Sequence, residues 1–309
     1  MRIDALSYSN RQTQGMQRRE WLRQHSPEHL ERCGELMLHA LRERKSGASR
    51  STLVLGAGAC TEVPLVNLVR ASDEVVLADL DLAAMQQAQT ELLSAAQRKR
   101  VRLVAADLTG GVSAGLNELI EHQPWQRLVE QGVRAVFDAA ARCLEECPIA
   151  DPPEIEGLGV GEFGVVISSL VLSQLFSYPL LDMLDSIQRL APDYLVEQER
   201  HARYQQAAQD FRVRSISGHL HLLQRLVDMG GIVVLLSDVR GFVFNVYGTD
   251  HDAAHRRNIP LVPRMLPDLV RASFSVIEEE RWEWLTDLPE QGKLGRGYEV
   301  VGYVLSSLE

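Results

Sequence analysis

LVLGAGACTEVP, residues 53–64, is the stretch whose reading decides the fold. An apolar run enters a turn broken by glycines and leaves it as the start of a helix, expected from about Glu62 to Arg70. Gly56 and Gly58 allow a tight bend and let the main chain approach a ligand with no Cβ in the way. The helix start offers unpaired N–H groups and the positive end of a dipole. A nucleotide or an amino-acid carboxylate suits such a turn. One GxG bend is a weak signal alone, so its neighbours matter.

The neighbours alternate between strand and helix. Thr52–Leu55, Glu74–Ala78 and Val101–Ala105 read as strands, with a helix from about Leu82 to Gln97, the spacing of a parallel βαβ unit. Asp79 stands at the tip of the second strand, in VVLADLD, twenty-one residues past Gly58. A carboxylate there can accept both hydroxyl hydrogens of a ribose. Asp107, in LVAADLTG, stands at the tip of the third and can accept an adenine amino proton. Either alone also serves as a helix N-cap. Together, behind a glycine turn, they mark a nucleoside site.

Outward from this core, residues 16–45 carry Trp21, Leu22, Leu30, Leu36, Met37, Leu38 and Leu41 at roughly helical spacing. Ser26-Pro27 reads as a helix start, with Ser26 as its cap. After Asp107 comes a long excursion, with Pro124–Glu146 helical and a Pro/Gly/acidic loop from Pro148 to Gly161. Val165–Ser168 is the next strand. Leu180–Leu190 and about Leu195–Asp228 are helical, and Gly230-Gly231 breaks the chain before strand Ile232–Ser237. Pro260–Val270 reads as a short Pro-flanked helix. Ser273–Leu285 and Tyr298–Ser306 are strands joined by the polar turn Glu290 to Gly297, hence antiparallel.

On these features the chain resembles the class I S-adenosyl-methionine-dependent methyltransferases, from about Thr52 onward. The GAG turn, Asp79, Asp107 and the closing strand YEVVGYVLSS carry the likeness. VVISSLVLSQL (residues 165–175) is similar to the family's fourth strand and following helix. RLVDMGGIVVLLSD (residues 225–238) is similar to its helix, Gly-Gly and fifth strand. The resemblance implies an α/β fold: a seven-stranded, mostly parallel Rossmann-like sheet with helices on both faces. The last strand is antiparallel and lies between its neighbours. Residues 1–50 would form an N-terminal helical cap. Residues 51–309 would form the catalytic domain, with helical insertions near 108–162 and 192–222. The cofactor implied is S-adenosyl-L-methionine, held by Gly56, Ala57, Gly58, Cys60, Glu62, Asp79, Leu80, Asp107, Leu108, Ser168 and Ser169. The family commonly has an acid two residues before the first glycine, where this chain has Val54; Glu62 is the acid nearest to replace it. Cys60 occupies the third glycine position.

Other readings meet specific obstacles. In a nicotinamide-dependent oxidoreductase the third glycine of GxGxxG is needed, and here it is Thr61. The short-chain arrangement of a Tyr four residues before a Lys is absent: Leu41, Ala95 and Pro289 precede Lys45, Lys99 and Lys293. A non-catalytic S-adenosyl-methionine-binding or docking protein on the same fold is the other alternative. Net charge is -10, which disfavours nucleic acid as a partner and RNA as methyl acceptor. Residues 1–50 are basic against an acidic remainder, the pattern of a solvated basic helix or a docking arm. Base and amide methylation often uses an Asn/Asp-Pro-Pro-aromatic turn where this chain has Ser168-Ser169-Leu170. A small-molecule substrate fits better.

Within that reading Tyr178 and His219 are the candidate catalytic residues, since a general base is needed only if the acceptor must lose a proton. Asp238, at the fifth strand tip, is a further candidate. Tyr8, Arg18 and Arg19 are placed to close over the ligand. Trp282 and Trp284 read as sheet packing. No metal site is expected: Cys143 and Cys147 share a helix face, but four nitrogen or sulfur ligands do not gather around them. Free thiols fit a reducing compartment. The apolar stretch from Phe163 to Phe176 is too short and polar to span a bilayer, so a cytoplasmic location and no membrane partner are expected. No sequence feature bears on oligomeric state.

Overall fold

A computed structural model describes residues 20–244, 257–288 and 294–308. Tyr8, Arg18, Arg19 and part of the turn from Glu290 to Gly297 lie outside the described residues. The chain divides into two compact units. Of the described residues, one unit holds the sheet (20–106, 155–173, 223–244, 257–288 and 294–308) and the other is helical (107–154 and 174–222).

In the sheet unit, strands β1 (Ser51–Leu55), β2 (Glu74–Asp79), β3 (Val101–Ala105), β4 (Phe163–Ser169) and β5 (Val227–Phe244) run parallel. Strands β7 (Phe274–Asp287) and β8 (Gly295–Ser307) complete the order β3-β2-β1-β4-β5-β8-β7. β8 is antiparallel to both of its neighbours, as the resemblance implied. An eighth strand, β6 (Arg257–Pro260), pairs antiparallel with β5. The sequence reading has no strand here and takes Pro260 as the start of a helix. The four residues of β6 are all exposed, so no apolar pattern marks it.

β1, β2 and β4 are almost wholly buried, and each is a continuous apolar or small-residue run. That is the signature of strands covered on both faces. The helices of this unit are α1 (Pro27–Glu43), α2 (Leu65–Ala71), α3 (Leu82–Leu92), the short α4 (Ala95–Arg98) and α10 (Leu266–Ser273). α1 is core material: Cys33, Leu36, Met37 and Ala40 join one apolar cluster with Val234, Leu236, Trp282 and Val304. Burying Leu36 and Met37 contributes roughly 1.5–3 kcal/mol each. Pro27 fills the first turn of α1 as expected, but the Ser26 hydroxyl caps nothing on its own helix. It donates to the Leu285 carbonyl at 2.9 Å and accepts the Leu285 N–H at 3.3 Å, joining the helix start to β7.

The helical unit contains α5 (Val112–Glu121), α6 (Trp125–Gln131), α7 (Val133–Glu146), α8 (Gln174–Leu190), a 3-10 stretch (Pro192–Arg200), and α9 (Ala202–Leu226) as far as Leu222. The single helix expected over Pro124–Glu146 is two, because Gly132 turns the chain at φ +100°. Arg214 closes the end of α7, its guanidinium donating to the carbonyls of Leu144 at 2.6 Å and Cys147 at 3.1 Å. A cation there suits the negative end of a helix. Among the described residues, no helix is long and apolar enough to cross a membrane.

Candidate functional site

The sheet order reverses direction between β1 and β4: β2 and β3 lie to one side, β5 and β8 to the other. In an open α/β sheet the carboxyl ends at such a point form the natural crevice for a ligand. Four of the expected residues, Gly56, Ala57, Gly58 and Cys60, follow β1 at this point; Ser168 and Ser169 end β4.

Gly56 has φ +72°. A Cβ on it would lie 2.7 Å from Val171 Cβ and 3.1 Å from the Ser169 carbonyl oxygen. Glycine is therefore required twice, by backbone conformation and by the close passage of the turn after β4. Gly56 and Ala57 donate their N–H groups to the Ala78 carbonyl at 2.9 and 3.3 Å. The Gly58 N–H donates to Asp79 Oδ2 at 2.9 Å, and the Asp81 N–H to Asp79 Oδ1 at 2.9 Å. The Asp79 carboxylate thus ties the turn after β1 to the tip of β2. Burial raises its pKa, opposed by the N–H groups of Asp81 and Gly58. Each oxygen accepts one of these bonds, and a carboxylate has about four acceptor sites, so capacity remains for a diol. Beside it Leu80 leaves an apolar side chain 39% exposed.

Among the described residues, the non-glycine residues at positive φ are Cys60 (+52°) and Leu170 (+53°). A side chain in this region costs roughly 1–2 kcal/mol, and such outliers cluster at functional sites. These two follow the tips of β1 and β4, the neighbouring strands at the reversal.

Glu62 does not open α2. The helix begins at Leu65, with Pro64 in the N-cap position. Glu62 stands in the preceding loop, within electrostatic reach of Cys33, as does Asp238. Both carboxylates, with burial as the larger cause, push the Cys33 thiol well above its ordinary pKa. Asp238 Oδ1 accepts the Trp284 indole N–H at 3.2 Å, and Trp284 stacks on buried His29 with ring centroids 4.1 Å apart. His29 and Cys33 were not singled out in the sequence. A histidine and a cysteine four apart on one helix face do hint at a shared environment. Trp282 and Trp284 do pack against the sheet core.

The remaining expected residues belong to the helical unit. Asp107 organises its own loop: Oδ1 accepts from the Thr109 N–H (2.9 Å) and hydroxyl (2.6 Å), and Oδ2 from the Gly111 N–H (3.1 Å). Leu108 and His219 line a cavity of roughly 10 Å³, about the room of one water. Burial holds the His219 pKa down at about 4, so its imidazole is neutral. His221 pairs with Asp151. Tyr178 is half-buried on α8. Cys143 and Cys147 donate to the carbonyls of Leu119 and Val112.

No family model matches the chain, and no curated protein matches it. Solved structures do. A glycopeptide N-methyltransferase, MtfA, complexed with sinefungin matches at 15% identity and a TM-score of 0.39, over 88% of this chain and 92% of that one. A SAM-dependent methyltransferase from Geobacter sulfurreducens in complex with S-adenosyl-L-homocysteine matches at 13% identity and a TM-score of 0.40, over 92% of each chain. One from Thiobacillus denitrificans, also with S-adenosyl-L-homocysteine, matches at 13% identity and 0.39, again over 92% of each. Likeness at this level does not extend to site residues or substrate. The strand order, with an antiparallel last strand set between β5 and β7, is the one that the resemblance of the sequence implied.

Proposed function

We propose that the chain binds S-adenosyl-L-methionine at the carboxyl ends of β1, β2 and β4 and transfers its methyl group to a small molecule. The observation that carries this reading is the concentration of unusual backbone at the sheet reversal. Gly56, Cys60 and Leu170 all have positive φ there, beside a buried carboxylate already pinned by two N–H groups. The residues present fit the cofactor: Asp79 has acceptor capacity left for ribose hydroxyls, and exposed Leu80 offers an apolar surface to a base. In this reading Glu62 serves the ammonium group. Ser168 and Ser169, at the tip of β4, complete the set.

When bound, the cofactor supplies a methyl group already activated by a sulfonium charge. The protein's part is then alignment and exclusion of water. The rigid turn after β1, held by Asp79, fixes one end of the ligand. The acidic, net -10 chain favours a small acceptor over a polyanion. Titration calorimetry with S-adenosyl-L-methionine and S-adenosyl-L-homocysteine tests the reading. Saturable binding of both, and none of NADH, is expected. If neither adenosyl ligand binds, the proposal falls. Binding without transfer of labelled methyl to any small-molecule extract would make the protein a sensor.

A further inference from the structure

Beyond its bulge at Asp238/Arg240, β5 continues past the tip of β4 and pairs with both β6 and β8. A cavity of about 430 Å³ lies along this extension. That is within the range of small-molecule sites, roughly 300–1,000 Å³. Its wall is one face of β8, where Glu299, Val301 and Tyr303 recur every second residue. The opposite wall is apolar, from Val262, Leu266 and Pro267.

Its charge is lopsided. Arg240, Arg264 and Arg281 line it against the single carboxylate of Glu299. Glu299 is shared, 3.2 Å from Arg240 and 3.6 Å from Arg281. Glu279, outside the lining, is bridged to Arg281 at 3.1 Å and Arg271 at 2.9 Å. Arg264 makes no ion pair among the described residues. In a chain of net charge -10, this is a local excess of guanidinium. A second observation is independent of it. Tyr303 is buried, and beyond the Arg281 guanidinium that approaches it as a donor its hydroxyl has no partner among the described residues, so the phenol proton lacks an acceptor. Buried polar groups are rarely left so. A ligand oxygen in the cavity would supply the missing acceptor.

We propose that this cavity binds a small organic carboxylate with an apolar body. Arg264 and Tyr303 hold the carboxylate, and the body lies against Val262, Leu266 and Pro267. The site is distinct from the turn after β1 and does not depend on the methyl-transfer reading. The probe is naphthalene-2-carboxylate, titrated into the full chain by calorimetry, with and without S-adenosyl-L-homocysteine. Saturable binding is expected in both cases. Naphthalene-2-methanol, with the same rings and no charge, and inorganic phosphate, with charge and no rings, should each bind about tenfold more weakly or worse, the scale of one charge-assisted hydrogen bond. Arg264→Gln should weaken the carboxylate by a similar factor. Tyr303→Phe should also weaken it while leaving the free protein's melting temperature nearly unchanged, since it removes only a hydroxyl whose proton has no acceptor in the free protein. No binding of the carboxylate, equal binding of the alcohol or of phosphate, or unaltered binding in both variants would overturn the proposal.

Discussion

The Trp282 indole N–H donates to Nδ1 of His29 at 2.9 Å, in the buried seam between α1 and β7. The bond makes Nδ1 an acceptor and leaves the ring proton on Nε2. Replacing His29 by Ala removes the acceptor and leaves a buried N–H unpaired, a loss of about 1–3 kcal/mol. Urea denaturation of the variant should show it. Deleting residues through Lys45 takes Leu36 and Met37 from the core and should abolish soluble expression. A soluble, cooperatively folding truncation would contradict this account of α1.

Gly56→Ala should destabilise the protein by about 2 kcal/mol or more, from a left-handed backbone and a new contact with Val171. Gly47→Ala is the control: nothing lies within 4 Å of its added methyl, so its change should stay within about 0.5 kcal/mol. Equal thermal melts for the two variants would show that the turn after β1 is not strained.

Asp79→Ala should weaken binding of S-adenosyl-L-methionine by roughly 1–3 kcal/mol. For the native protein, affinity should rise with pH above about 3.8, through the raised pKa of Asp79, because the ionised carboxylate is the better acceptor. The stability contribution runs the other way. A folded pKa above the unfolded value means the native state holds the proton more tightly, so this group's contribution falls as pH rises through the same window. Calorimetry across pH with Asp79→Asn should give a flat profile; a native profile equally flat would remove Asp79 from the site.

His219 is depressed from 6.5 to about 4 by burial. Between these values the unfolded chain binds the proton and the native state does not. Stability from the neutral ring is therefore fully present above pH 6.5 and lost as pH falls toward 4, by about 3 kcal/mol in all. His219→Leu should flatten that part of the stability profile. An unchanged acid slope in the variant would mean that another group causes it.

All four cysteines are buried and none is in a disulfide. Burial raises Cys143 and Cys147 to about 11, and the thiolate is the reactive form. Ellman's reagent should label none of them quickly at pH 8 until urea is added. Rapid labelling of Cys143 or Cys147 in the folded state would refute the burial of these two thiols.

The first four parallel strands were legible to within a residue or two; the apolar runs of β1, β2 and β4 stop at Gly56, Asp79 and the polar pair Ser168-Ser169. What could not be read depends on distant partners. β5 runs from Val227 to Phe244 rather than Ile232 to Ser237, because β8 and β6 pair with its polar end. Gly230-Gly231 lies inside that strand instead of before it. The split at Gly132 and the helix α5, which the sequence did not announce, share a cause: a glycine or a modest apolar spacing does not say whether a helix starts or continues. In the site, an acid at the tip of β2 was readable from its position. That the main chain of Gly58 fills one of its oxygens was not, since no residue type encodes it.

A strand that enters last and sits inside the sheet has a price during synthesis. Until residues 295–307 leave the ribosome, β5 and β7 both present bare ladder edges, open to any other unpaired chain. A message cut short before that point would release a product with two sticky flanks, suited to aggregation rather than to partial activity.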